Sequence, residues 1–257
     1  SRAEQESEKT AKALEQFLRP EFLNRVDEVI TFRQLSVEDF RRIVAIMLGQ
    51  LSDVLKEKGI ENILALRGDY PKGYDPQTAP QEFRHASDLA AFITANYPDA
   101  FCLSGACYPE VHEEADSLEA DLRHLKIKAD AGASYLVTQI FLDNNYYYRL
   151  LREARKRGIQ VPILAGIMPA TNAKQLLNMS KMCGCSIPYT LSAMIERFSA
   201  HPAAMQEIGL NYAAWQIMDL ITNGVEGIHL YTMNRPQIAT EIMRRCDAIL
   251  REFRDAH

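Results

Sequence analysis

Arg67-Gly68-Asp69, Tyr108-Pro109-Glu110, Gln139, the run from Pro169 to Asn172, and Asn234-Arg235 share one property: each sits where a short apolar run stops. Guanidinium, carboxylate, amide and phenol groups gathered in that way can hold an anionic ligand and stabilise charge that develops on a substrate. Strand ends are polar in any soluble protein, but Arg, Asp, Gln and His placed repeatedly after apolar runs make an enzyme-like layout. Other chemistries lack their residues. No G-x-x-x-x-G-K-[ST] phosphate cradle and no G-x-G-x-x-G dinucleotide turn occurs. Cys183-Gly184-Cys185 is half of a zinc-ligand pattern without a second pair nearby, so no metal is expected.

The apolar runs are NILAL (62–66), AFCLSGA (100–106), YLVTQIF (135–141), PILAGIM (162–168) and GIHLYTM (227–233), each of the kind that forms a buried parallel strand. Helical stretches separate them: 87–96, 117–131, 144–156, 172–182, a longer region over 190–222 broken at His201-Pro202, and 236–254. Upstream, EVITF (28–32) reads as a strand, and Ser36 with Asp39 caps a helix that Gly59 ends. Strands alternating with helices imply βαβ units in a parallel sheet. The expected fold is therefore α/β and TIM-barrel-like but incomplete, with about six parallel strands where a closed barrel has eight. Unpaired edges on such a sheet favour self-association, so a homo-oligomer is expected.

The 257 residues are 47% hydrophobic and 25% charged, ordinary for a soluble globular chain, with a net charge of −5. That charge excludes the basic face a nucleic-acid partner requires. No run is long enough for a membrane span and no signal-peptide pattern opens the chain, which begins with Ser1. Five irregularly spaced cysteines read as reduced thiols, hence a cytoplasmic location.

ENILALRGD (61–69), YPEVHEEADSLEADLRHLKIKADAGA (108–133), TQIFLDN (138–144), AGIMPATNAKQ (165–175) and GIHLYTMNR (227–235) together resemble methylenetetrahydrofolate reductase, from about Gly59 to Arg245. That family is a flavin-dependent TIM-barrel oxidoreductase of one-carbon metabolism and methionine biosynthesis. The resemblance implies FAD as cofactor, NADH or NADPH as co-substrate and a folate as the small-molecule substrate. Arg67, Gly68 and Asp69 would line the flavin, Asp69 as the catalytic carboxylate that stabilises a cationic folate. Ala86, Tyr108, His112, Ala115, Asp121, His124 and Lys128 fall where the family touches FAD, with Lys128 offsetting phosphate charge. Gln139, Gln175, Met179, Arg235 and again Asp69 fall at substrate-binding positions. His124, Ile127 and Met179 depart from the residues the family pattern leads one to expect, polar or basic at the first two and aromatic at the third.

Residues 17–60, FLRPEFLNRVDEVITFRQLSVEDFRRIVAIMLGQLSDVLKEKGI, resemble instead the end of a Clp-type AAA+ unfoldase module, with Arg25 as its arginine finger. The expected organisation is thus a chimera, with an unfoldase-like segment over 1–58 and a reductase-like partial barrel over 59–257. On that reading the family's first strands and its general-acid glutamate are missing, and turnover is impaired. Two alternatives stay open: a catalytically inactive flavin- or folate-binding fragment, and a remnant of the unfoldase.

Overall fold

The computed structural model describes Ala13, residues 36–68 and residues 83–255. The chain divides into two compact units between Gly59 and Ile60. In the first unit, α1 (Val37–Glu57) starts as its sequence requires. Ser36 Oγ accepts from the Asp39 amide, and the Asp39 carboxylate accepts from the Ser36 amide at 2.8 Å. Gly59, at φ 68°, ends the helix in the left-handed region that glycine enters freely. Phe40, Met47 and Leu51, on the apolar stripe of α1, are exposed.

The second unit holds five strands, β1 (Asn62–Ala65), β2 (Cys102–Cys107), β3 (Tyr135–Thr138), β4 (Ile163–Ile167) and β5 (Ile228–Leu230). They pair in parallel in the order β1-β2-β3-β4-β5. Helices return the chain between them: α2 (Ala86–Asn96), α3 (Leu118–Asp130), α4 (Asn144–Lys156), then α5 (Ala173–Cys183), α6 (Tyr189–Phe198) and α7 (Pro202–Thr222) between β4 and β5, and α8 (Pro236–Asp255) after β5. Parallel strands paired in chain order, each followed by a crossover helix, form a curled half-barrel of the TIM type. The sequence predicts all five of these strands within a few residues. The sixth, EVITF at 28–32, lies outside the described residues, as does Arg25.

Three apolar clusters hold the unit together, the smallest packing Ala65 and Leu103 of β1 and β2 against Ala90 and Ile93 of α2. The largest packs Leu136, Ile163, Ala165 and Ile167 of the sheet against Leu122, Tyr147, Leu150, Leu220 and Ile242 of the surrounding helices. Fully burying a side chain of this size contributes roughly 1.5–3 kcal/mol. The second gathers Ile140, Leu142, Met168, Ala170, Leu176, Cys185, Leu191 and Met205, residues of the loops after β3 and β4 and of α5 to α7. Between α4 and α7 a buried polar network closes on itself. Asn144 donates to the Asp219 carboxylate at 2.7 Å, Tyr148 donates to the same carboxylate at 2.6 Å, and Gln216 donates to Asn144 at 3.1 Å. A buried amide left without partners would destabilise the fold, so this network fixes how α7 crosses α4.

The tightest point of the sheet is Gly166 on β4. Its amide donates to Thr138 Oγ1 at 2.8 Å, and Tyr231 donates its hydroxyl to the Thr138 carbonyl at 3.0 Å. A Cβ on Gly166 would lie 2.3 Å from that carbonyl oxygen and 2.8 Å from the Tyr231 ring. Backbone cannot yield as a flexible side chain can. Gly166→Ala should therefore destabilise the chain by about 1–3 kcal/mol, read as a lower denaturation midpoint. An unchanged midpoint would mean that the strands do not approach as closely as this.

Candidate active site

Each strand of the half-barrel delivers its C-terminal end to one edge of the sheet, and the polar residues singled out above lie on the loops that leave it. The loops after β1 and β2 meet through a forked ion pair. Arg67 Nη1 and Nη2 each donate to one oxygen of Glu114 at 2.9 Å. This hydrogen-bonded guanidinium holds the Glu114 carboxyl below the usual carboxylate range, with His112 and His85 adding to the effect. Tyr108 packs its ring edge-on against His112 at 4.4 Å. The Glu114 amide donates to His112 Nδ1, and the Ala115 amide to the His112 carbonyl. The His112 amide in turn donates to Asp121 at 3.1 Å. Asp121 stands in the first turn of α3, behind the Ser117 cap. Burial raises its carboxyl, against the opposing pull of His112 and Lys128.

Lys128 reaches this group from the last turn of α3. Its side chain crosses Gly105 of β2, where a Cβ would come within 2.5 Å of Lys128 Cδ, and its ammonium donates to the Ala106 carbonyl. Glycine at 105 therefore gives the lysine its path. Burial lowers the Lys128 amine and pushes the neighbouring Cys107 thiol up to about 12. His124 stacks on His85, centroids 6.1 Å apart, at the start of α2, whose first residue is Ala86. Ile127, also on α3, is 51% exposed.

A second group forms at the ends of β4 and β5. Asn172 caps α5 by accepting from the Gln175 amide at 2.9 Å. Gln175 and Met179, four residues apart on that helix, line an open groove with Asn172, Lys174 and Asn178. Arg235 reaches Thr171 in the β4 loop at 3.4 Å. Just before it, Met233 and Asn234 adopt φ of 50° and 58°, a strained pair at the exit of β5. Gln139 follows the end of β3, between the two groups, its side chain accepting from the Ile140 amide at 2.8 Å.

The structure thus brings Arg67, Tyr108, His112, Ala115, Asp121, His124 and Lys128 together, with Ala86 beside them. Gln175, Met179 and Arg235 gather separately. Gly68 is exposed at φ 79°, and Asp69 lies outside the described residues. Glu114 and His85 are the residues that sequence reasoning missed. Glu114 stands two residues after His112, but nothing in the chain's order indicates which carboxylate of that acidic run meets an arginine so far upstream. Among the described residues no group of side chains could hold a metal ion, and no helix is long and apolar enough to cross a membrane.

A flavin dinucleotide requires donors for its phosphates. Lys128 uses one of the three N–H groups of its ammonium on the Ala106 carbonyl. Arg67 is already engaged by Glu114, so Lys128, with three imidazoles nearby, is the group of the cluster that suits an anion such as a pyrophosphate. The residues present fit the group.

The family model for methylenetetrahydrofolate reductase matches residues 32–247. The chain belongs to the methylenetetrahydrofolate reductase family. Methylenetetrahydrofolate reductase (NADH) 1 of Arabidopsis thaliana is 36% identical over 201 residues, covering 74% of this chain and 34% of the plant protein. The 5,10-methylenetetrahydrofolate reductase of Pectobacterium carotovorum is 36% identical over 186 residues, 72% of this chain and 60% of the bacterial one. The chain therefore spans about a third of the plant relative's length and 60% of the bacterial relative's. A probable NADPH-dependent reductase of Caenorhabditis elegans is 36% identical over 190 residues, 74% of this chain and 28% of its own. A solved structure from Clostridium thermocellum, a protein that binds two copies of 5-methyl-5,6,7,8-tetrahydrofolic acid, overlays 64% of this chain and 59% of its own, with 18% identity and a TM-score of 0.47. That is too loose to transfer its ligand. The family match reaches back to residue 32, so the reductase resemblance extends upstream of the expected start near Gly59 and takes in α1.

The Arg67–Glu114 pair makes a pH prediction. Its folded carboxyl value is depressed below the ordinary 4.5, so the stabilisation is present above that value and is lost as the pH falls through the depressed one. The thermal midpoints of wild type and Glu114→Gln should differ at neutral pH and converge in acid. Parallel curves would mean that the pair contributes nothing.

Proposed function

We propose that this chain forms the flavin- and folate-facing part of a methylenetetrahydrofolate reductase, an oxidoreductase that uses NADH or NADPH to reduce 5,10-methylenetetrahydrofolate to 5-methyltetrahydrofolate. The observation that carries the reading is the cluster at the ends of β1 and β2, where Arg67, Tyr108, His112, Asp121 and Lys128 converge from separate elements. When bound, FAD would supply the hydride chemistry, taking a hydride from the nicotinamide and passing it to the folate. The protein's own residues bind and orient. Lys128 offsets phosphate charge, and Tyr108 with His112 gives an aromatic wall. Asp69 would favour positive charge on the folate as it develops. Gln175 and Met179 offer a polar and a soft apolar contact along one face of α5, Gln139 an amide between the two groups, and Arg235 a guanidinium for a carboxylate.

The same reading expects a cytoplasmic protein and, where strand edges pair between copies, a homo-oligomer. Relatives named for NADH and for NADPH both match this chain, so either nicotinamide serves the reading. The unfoldase-like character of 17–60, with a chimeric origin and a boundary near 58–59, is a further part of the proposal. The division of the chain after Gly59 supports that boundary. The family match from residue 32 weighs against it.

The visible absorption spectrum of the purified, desalted chain, with and without added FAD, tests the reading. A retained flavin band is expected, and Lys128→Met should weaken flavin binding roughly 10–100-fold, the worth of a hydrogen bond to a charged group. A folded chain that retains no flavin would overturn the proposal. Flavin retained without oxidation of NADH or NADPH in the presence of the folate would leave the impaired, ligand-binding form.

A further inference from the structure

Glu110 stands in the loop after β2, between Tyr108 and His112, and its carboxylate reaches Ser186. It accepts the Ser186 amide through both oxygens at 3.0 Å and also the Ser186 hydroxyl. Ser186 follows directly on the end of α5. There Gly184 takes the left-handed conformation at φ 63°, the Cys185 amide donates to the Ser180 carbonyl at 3.1 Å, and Ser180 Oγ donates to the Cys185 carbonyl at 2.6 Å. Cys185 is itself buried in the second apolar cluster beside Leu176. The segment that grips Glu110 is therefore fastened to the helix that carries Gln175 and Met179.

The other end of the link is equally fixed. Val111, next to Glu110, sits at φ 79°, a left-handed conformation that a β-branched residue adopts only when its surroundings impose it. Its neighbours supply the constraint: Arg149 donates to the Pro109 carbonyl at 3.1 Å, and the His112 amide donates to Asp121. The turn at Val111 sends Glu110 toward Ser186 and leaves Tyr108 and His112 together. Because β3 lies between β2 and β4 in the sheet, the Glu110–Ser186 contact ties the loop of one strand to the helix after a strand two places away.

We propose that Glu110 is a positioning residue that couples the cofactor-facing loop 108–112 to the folate-facing helix α5 through Ser186. The inference rests on the flavin and folate reading above. A ligand that orders the loop then orders α5 as well, and each ligand strengthens the other by the same factor.

The test measures folate affinity of the full chain with and without FAD, in wild type, Glu110→Ala and Ser186→Ala, alongside hydrogen exchange of residues 184–188. In wild type, FAD should raise folate affinity roughly 5-fold or more and slow exchange at 184–188. In E110A the flavin band persists, but the affinity ratio falls severalfold, to what direct contact between the two ligands sustains, and the protection at 184–188 disappears. S186A, which removes only the hydroxyl, should give an intermediate ratio and guards against misfolding of the first variant. Glu110→Gln, which keeps one carbonyl acceptor, should restore part of the coupling that alanine abolishes. A merely structural role would lower stability in all three variants and leave the ratio unchanged. A wild-type ratio near one, or one that E110A does not alter, overturns the proposal. Flavin bound with no coupling sinks the coupling alone, whereas absence of the flavin band sinks the functional reading together with it.

Discussion

Parallel pairing in chain order is the constraint on which the rest of this protein depends. Five strands that follow one another across the sheet send every loop after a strand to the same edge. No side chain needs to be long or unusually placed for Arg67, Tyr108, Gln139 and Arg235 to share that edge. The Gly166 contact sustains the arrangement, because only a residue without a Cβ lets Thr138 and Tyr231 close on β4. Where the strands stop, the second apolar cluster begins. It anchors α5 to α7 over that edge of the sheet.

The site built on that edge is asymmetric. The ends of β1 and β2 carry charge in balanced opposition, with Arg67 against Glu114 and Lys128 near Asp121. The end of β4 leads to an open groove lined by amides, Lys174 and the Met179 thioether, and the Arg235 guanidinium after β5 reaches Thr171 beside it. The proposed function gives the first group to a phosphate-bearing cofactor and the second to the folate. Backbone strain is placed accordingly, at Val111 in the first group and at Met233 and Asn234 in the second. Val111 adjoins His112 and Asn234 adjoins Arg235, both side chains that the proposed function uses, whereas Asp99, at φ 58°, lies before β2 and away from them.

Much of this was legible in the residue order, for physical reasons that can be named. β2, β3 and β4 declared themselves because a strand buried on both faces must be apolar throughout. β1 and β5 carry the same apolar runs, although Leu64 and His229 are exposed. The helix ends were marked because Ser36, Ser117, Asn172 and Gly184 each do local chemistry. The family match beginning at residue 32 rather than near Gly59 was not legible, since α1 is an amphipathic helix of a kind many folds share.

The sequence by itself determined the elements, their order and the residue types at each strand end, because these follow from local periodicity and capping. Only the tertiary structure decided partners. Arg67 meets Glu114 across 47 positions, Glu110 meets Ser186 across 76, and Lys128 threads over Gly105 toward Ala106. Such pairings depend on how far each crossover helix carries the chain around the sheet. That distance is a property of packing, and it is written in no single stretch of residues.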